Sequence, residues 1–174
     1  MLSAIFEFSV PIFDRHLKIL SKLVETAEAY AKDREIEPAI LIFSRLYPDM
    51  FTLAEQIRAA CNTAKRSTAR LVGRGLPQSQ NTDKSFADLQ ARIDDALTFL
   101  KTLPESSFAK LEGGKIEFPF GSSVLTVTPQ QYLTRFALPN FYFHVTTAYD
   151  ILRQNGVPVG KRDFLGPLAD APDL

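Results

Sequence analysis

The chain of 174 residues contains one cysteine and two histidines. A single cysteine, Cys61, excludes an intramolecular disulfide and every metal site built from several cysteines. The cysteine content is what we expect of a cytoplasmic protein. An excess of charge of either sign is also missing, because 20 Lys and Arg residues balance 20 Asp and Glu residues. Proteins that bind nucleic acids usually carry a positive excess, so we expect no nucleic-acid partner.

Long apolar runs are absent as well. No stretch reaches the roughly 18 apolar residues that a membrane span needs, and the apolar N-terminus carries Glu7 and lacks the basic region of a signal peptide. We therefore expect no membrane association. The sequence has no glycine-rich phosphate loop, HExxH motif or nucleophile elbow. None of the common catalytic motifs identifies a reaction.

Helical periodicity is the main feature that is present. Apolar residues recur at three- and four-residue spacing in separate segments, which predicts amphipathic helices. We place Asp49 as the N-cap of the second helix, and Ser85 and Thr128 as the first residues of capping boxes. The predicted helices run from Pro11 to Lys32, from Met50 to Val72, from Ser85 to Pro104 and from Thr128 to Asn155.

The period changes to two between residues 114 and 128. Ile116, Phe118 and Phe120 alternate with other residues, and Pro119 restricts this strand to an edge because proline cannot donate a ladder hydrogen bond. We expect a short β-hairpin inserted before the last helix. The whole chain, residues 1–174, is predicted to form one mainly α domain, a four-helix bundle, with a C-terminal tail at about 167–174.

The candidate polar site centres on the fourth helix. Asn140 and His144 are four residues apart and so share one face of it. Gln56 flanks the apolar stripe of the second helix, and the three side chains meet if the two helices are neighbours. Pro139 lies just before them, and it predicts a kink near Arg135 to Pro139 or a break between two helices.

His144 is also the candidate metal ligand. A metal site built on histidine needs at least two further donors of suitable chemistry. Asparagine is a poor ligand for transition metals, so Asn140 does not complete a site. A histidine at the margin of a buried face is equally consistent with a hydrogen-bonded core residue.

Other polar residues have structural interpretations beside functional ones. Arg66, Arg70 and Arg74 follow one another at four-residue intervals, which is typical of a solvated face matched to the helix dipole, or of an anion site. His16 is predicted to be half-buried and structural. Cys61 lies on a stripe of small residues and is predicted to be an inert core thiol.

Two runs of sequence resemble a known family. PDMFTLAEQIRAACNTAK and ALPNFYFHVTTAYDILRQNGVPVGKRDFLG are similar to a bacterial domain of unknown function, the one numbered nineteen ninety-three, which is related to the DinB and YfiT proteins. The resemblance covers about Pro11 to Gly166. It implies a DinB-like four-helix bundle that is commonly dimeric. In the wider metalloenzyme superfamily, three histidines hold a divalent metal, one from the second helix and a pair four apart from the last helix.

This chain departs from that pattern. Asn140 and His144 stand where the histidine pair is expected, and Gln56 is the nearest polar match in the second helix, which has no histidine. We therefore expect a homodimeric module that is non-catalytic or binds a small-molecule ligand, with a degenerate metal site and no cofactor. The alternative is a divalent-metal-dependent transferase, like the thiol transferases of the superfamily, or a hydrolase that uses His144 with Asp49 or His16 as a further ligand.

Overall fold

The computed structural model describes residues 3–108 and 113–167. In this part of the chain the fold is a bundle of four long helices with a hairpin before the last one, as the sequence predicts. The predicted tail lies outside the described residues, apart from Pro167. The first elements are α1 (Ala4–Glu7), α2 (Val10–Asp33), α3 (Pro38–Ile42), α4 (Leu53–Leu71) and α5 (Phe86–Lys101), followed by a 3₁₀ turn at Glu105–Ser107.

The N-terminus of α4 differs from the prediction. Thr52, and not Asp49, is the N-cap: its hydroxyl accepts a hydrogen bond from the Glu55 N–H over 3.3 Å. The Glu55 carboxylate in turn accepts one from the Thr52 N–H over 2.9 Å. This reciprocal pair is a capping box, which satisfies two backbone donors, whereas a lone Asp satisfies one. The capping boxes predicted at Ser85 and Thr128 are both present.

The predicted hairpin is confirmed. Strand β1 (Ile116–Phe120) pairs with β2 (Ser123–Val127) in antiparallel register, with Ile116 opposite Val127. Gly121 has a φ of 60°, which a glycine adopts without strain in the tight turn. Phe118 is buried against Tyr132 at a ring-centroid distance of 4.9 Å. The hairpin therefore packs on the beginning of the last helix.

The last helix contains a π turn where the kink is predicted. It consists of α6 (Pro129–Tyr132), a π-helical turn (Leu133–Ala137, called the π turn below) and α7 (Leu138–Gln154). The Leu138 N–H donates to the carbonyl of Leu133, five residues back instead of four. This turn therefore contains one residue more than an α-helical turn. Pro139 then falls in the first turn of α7, where its missing N–H is least costly.

The helices pack around one apolar core. Helix α4 packs against α7 and α5, and α2 packs against α5. Ala60 and Ala64 are fully buried in α4, and their small side chains let a neighbouring helix approach closely. In the core, Phe13 and Phe141 meet edge to face at 4.9 Å between ring centroids.

A last short helix, α8 (Lys161–Leu165), returns to α2. The guanidinium of Arg15 donates a hydrogen bond to the Leu165 carbonyl over 2.7 Å. This contact fastens the C-terminal end of the described chain to the bundle. Among the described residues, no helix has both the length and the apolar character needed to cross a membrane.

Candidate functional site

Two of the three predicted site residues are in direct contact. The Nδ1 atom of His144, on α7, lies 2.8 Å from Oε1 of Gln56, on α4. Gln56 is 1% exposed, and His144 is partly buried. A buried amide that lacks a partner is costly, so this hydrogen bond constrains both side chains.

The orientation of the Gln56 amide decides which nitrogen of His144 carries the proton. Nε2 of Gln56 donates to the backbone carbonyl of Phe51 over 3.4 Å. A rotated amide would place Oε1 against that carbonyl, two acceptors facing each other. Oε1 therefore faces His144 and accepts a hydrogen bond from Nδ1–H. The neutral imidazole consequently has its proton on Nδ1 and its lone pair on Nε2.

The Nε2 atom of His144 is unpaired among the described residues and is not fully buried. It makes no hydrogen bond within the described residues, and it is not among their fully buried polar atoms that lack a partner. Phe51 lies nearly parallel to the imidazole at 6.2 Å, and Phe143 lies edge to face at 5.4 Å between ring centroids. These rings are 48% and 55% exposed. The site is an imidazole flanked by two aromatic rings at the surface.

Asn140, the third predicted residue, bonds elsewhere. Its side-chain amide donates to the hydroxyl of Thr63 over 2.8 Å. One to two turns further along, the hydroxyls of Ser67 and Tyr132 lie 3.2 Å apart. The structure therefore brings Gln56 and His144 into direct contact, whereas Asn140 bonds to Thr63 one turn away along α7. Three contacts, Gln56 with His144, Thr63 with Asn140 and Ser67 with Tyr132, lie in a row along the interface between α4 and the last helix. This row is called the polar seam below.

Sequence reasoning identified Gln56 but missed Thr63 and Ser67 on the α4 side of this seam. Gln56, Thr63, Ser67 and Arg70 follow at spacings of seven, four and three residues, which places them on one helix face. They alternate with the alanines of the same stripe, so the face is neither plainly apolar nor plainly solvated. That mixed face is the signal that indicates a hydrogen-bonded helix pair.

The other candidate residues lie in separate environments. His16 bonds the Ile12 carbonyl within α2 over 3.1 Å and meets Tyr142 edge to face at 4.8 Å. Cys61 is buried, which confirms the predicted core position, and burial raises the pKa of its thiol to about 12, as expected of an unreactive thiol.

The predicted arginine row has no common environment. Arg66 is exposed to solvent. Arg70 donates to the Tyr132 hydroxyl over 3.0 Å and lies over its ring. Arg74 donates to the Thr102 hydroxyl over 3.3 Å. The three guanidinium groups therefore differ in their neighbours, and only Arg70 belongs to the seam.

The residues present do not fit the three-histidine metal site of the superfamily. Within residues 3–108 and 113–167, no group of three or more His, Cys, Asp or Glu side chains is placed to hold a metal ion. Oε1 of Gln56 already accepts the Nδ1–H of His144, and Asn140 is bonded to Thr63. His16, one of the two further ligands expected for a metal enzyme, packs instead against the ring of Tyr142.

Burial lowers the pKa of both histidines below the ordinary value of 6.5. Such a histidine takes up its proton at a higher pH in the unfolded chain than in the folded protein. The neutral histidine therefore adds fully to stability above pH 6.5, and this contribution is lost as the pH falls below that value. We expect the free energy of unfolding, measured with urea, to fall between about pH 7 and 5. His144→Gln should reduce this slope while His16→Gln leaves the His144 part intact. An unchanged slope in His144→Gln would contradict this assignment.

A protein family and a solved structure are similar to this chain. The sequence profile described as "Domain of unknown function (DUF1993)" matches residues 5–165. The crystal structure of a DinB family member protein from Shewanella denitrificans is similar to the chain with a TM-score of 0.86 and 37% sequence identity. The similarity covers 96% of this chain and 95% of that one. No protein with a curated description shows significant similarity.

The match to the profile extends from α1 to the end of α8 and so includes every helix of the bundle. The structural similarity extends over the same elements. The chain therefore belongs to the DUF1993 family and has the DinB-like fold.

Proposed function

We propose that the chain is a non-catalytic, small-ligand-binding member of the DinB-like proteins. The observation that carries the proposal is the 2.8 Å contact between Gln56 and His144. It holds the imidazole in one tautomer and leaves Nε2 as a fixed hydrogen-bond acceptor. Burial lowers the pKa of His144, so the ring is neutral and able to accept at pH 7. Because Nε2 has no acid or base hydrogen-bonded to it among the described residues, the imidazole is suited to bind and orient a ligand rather than to work in an acid–base pair.

The neighbours of Nε2 define the ligand chemistry. Phe51 and Phe143 both offer exposed aromatic surface next to the His144 ring. Aromatic rings favour flat partners, through offset stacking or edge-to-face contact. The ligand that fits is a small planar molecule with an O–H or N–H donor for Nε2.

Phenol and anisole are a matched pair of probes, because both are planar and only phenol carries a hydroxyl donor. We expect phenol to shift the NMR signals of the His144 ring, and anisole to shift them much less, because anisole has no proton to donate to Nε2. The ring signals of His16 serve as the internal control and should stay in place. Gln56→Leu should weaken the response to phenol, since the ring is then free to turn. Equal shifts from both probes would sink the proposal.

The rival function is a divalent-metal-dependent transferase or hydrolase that uses His144. Zn²⁺ and Ni²⁺ titrated calorimetrically into chelator-stripped protein distinguish the two, because a lone imidazole binds these ions weakly. We expect no saturable one-to-one binding at micromolar metal. The matched variants are His144→Ala and His16→Ala. Tight binding that is lost only in His144→Ala would reverse the assignment in favour of the metal enzyme.

We also propose that the protein is a homodimer. The segment around α3 supports this, because Ile40, Phe43 and Tyr47 are 59%, 50% and 65% exposed. The exposed Arg45 of this segment donates to the Pro48 and Met50 carbonyls over 3.2 and 3.1 Å. Exposed apolar side chains of this kind mark interaction surfaces.

Sedimentation velocity tests the dimer and its surface together. We expect a dimer for the wild-type chain and a monomer for Tyr47→Lys, because a charge in an apolar contact is costly to bury. Val124→Lys is the matched control, since Val124 is 68% exposed on the hairpin. A wild-type monomer contradicts the proposal, and dissociation by Val124→Lys alone places the contact on the hairpin instead.

A further inference from the structure

A second candidate binding site lies at the start of the last helix. A cavity of about 520 Å³, open to solvent on one side, is formed between α1, α6 and the π turn. Small-molecule sites typically have volumes of roughly 300–1,000 Å³. Its wall reaches Leu133, eleven residues before His144, which is about 16 Å along a helix. The cavity is therefore separate from the imidazole site.

The walls of the cavity are mainly apolar. Ala4, Ile5 and Phe8 line it from the N-terminal side, and Leu133 lines it from the π turn. Phe8 is 55% exposed, although it borders a concave surface. Removing such aromatic surface from water is favourable, so a ligand that covers Phe8 gains binding energy from it.

The polar side chains of Thr128, Gln130 and Thr134 line another part of the wall. Oγ1 of Thr128 accepts the Gln131 N–H over 3.1 Å, which leaves its own proton free to donate. The Thr134 hydroxyl donates to the Gln130 carbonyl over 2.8 Å and keeps its lone pairs. None of the described residues that line the cavity is charged. An ionised ligand would lose hydration there and gain no counter-charge from these described residues.

The π turn explains why the cavity lies on this side of the helix. In a continuous α-helix, residues eleven apart point nearly the same way, so Leu133 would face as His144 does. The additional residue of the π turn changes the angle between Leu133 and His144 about the helix axis by about 100°. Leu133 and Thr134 can then line a cavity against α1. Such turns are rare and are frequently found at functional sites.

We propose that this cavity binds an uncharged, mainly apolar small molecule, whose single hydroxyl or carbonyl group bonds to Thr128 or Thr134. The ligand fills the space beside Leu133 and covers the exposed ring of Phe8. This activity goes beyond the imidazole site and does not depend on it.

Two dyes with the same ring skeleton test the proposal on the full chain. N-phenyl-1-naphthylamine is neutral, and 8-anilino-1-naphthalenesulfonate carries one additional sulfonate. We expect saturable fluorescence enhancement with the neutral dye and about tenfold weaker binding of the sulfonate. The absence of saturable binding of the neutral dye, or tighter binding of the sulfonate, would overturn the proposal.

Variants that fill the cavity locate the bound dye. Ala4→Trp and Thr134→Trp each place a bulky ring in the cavity from an exposed backbone position. Each should weaken binding of the neutral dye about tenfold, because the space is occupied. Ala29→Trp, at an exposed position on α2, is the matched control and should leave binding unchanged. Unchanged binding in the two cavity variants, with folding verified by circular dichroism, would exclude this site.

Discussion

The contact between α4 and the last helix determines most of what is distinctive in this protein. Buried alanines bring the helix backbones together, and the polar seam then fixes how the helices are placed. Gln56 meets His144, and Thr63 meets Asn140, each at 2.8 Å. A slip of one helix along the other would break both hydrogen bonds and leave Oε1 of the buried Gln56 without a partner, which costs about 1–3 kcal/mol. The seam therefore fixes translation and rotation, whereas the apolar contacts around it mainly supply stability.

The π turn and Pro139 solve a geometric problem created by that contact. The same helix must present Asn140 and His144 to α4, and its first turns must pack on the hairpin. A proline in the middle of a regular helix would lose a hydrogen bond and collide with the preceding turn. Because the π turn precedes it, Pro139 lies instead in the first turn of a new α-helical segment. The local sequence and the tertiary contact thus favour the same irregularity.

Much of the fold could be predicted from the sequence, because helix periodicity, capping boxes and strand alternation are local signals. Asp49 is a suitable N-cap when it is considered alone, but Thr52 and Glu55 form a reciprocal capping box, and α4 begins directly after Thr52. The contact of Gln56 with His144 followed from two helix faces, provided that the helices are neighbours. The partner of Asn140 did not follow, since helix crossing decides whether a side chain reaches Gln56 or Thr63. The sequence predicts the π turn only as a kink, because Pro139 indicates that the regular helix is interrupted but not which backbone geometry replaces it.

The five-residue π turn also makes the last helix sensitive to length in a way that a regular helix is not. Loss of one residue from Leu133–Ala137 would remove the additional residue of the π turn and rotate everything before it by about 100° relative to α7. Pro139 would then lie in the interior of a continuous helix, where it costs a hydrogen bond and a clash. The hairpin and the seam would then no longer face their partners together. Replacement of a side chain in this segment changes only local packing. Tolerance to substitution is therefore expected at the exposed Thr134 and Arg135, whereas Leu133 and Ala137 are buried in the core and the number of residues in the turn is fixed.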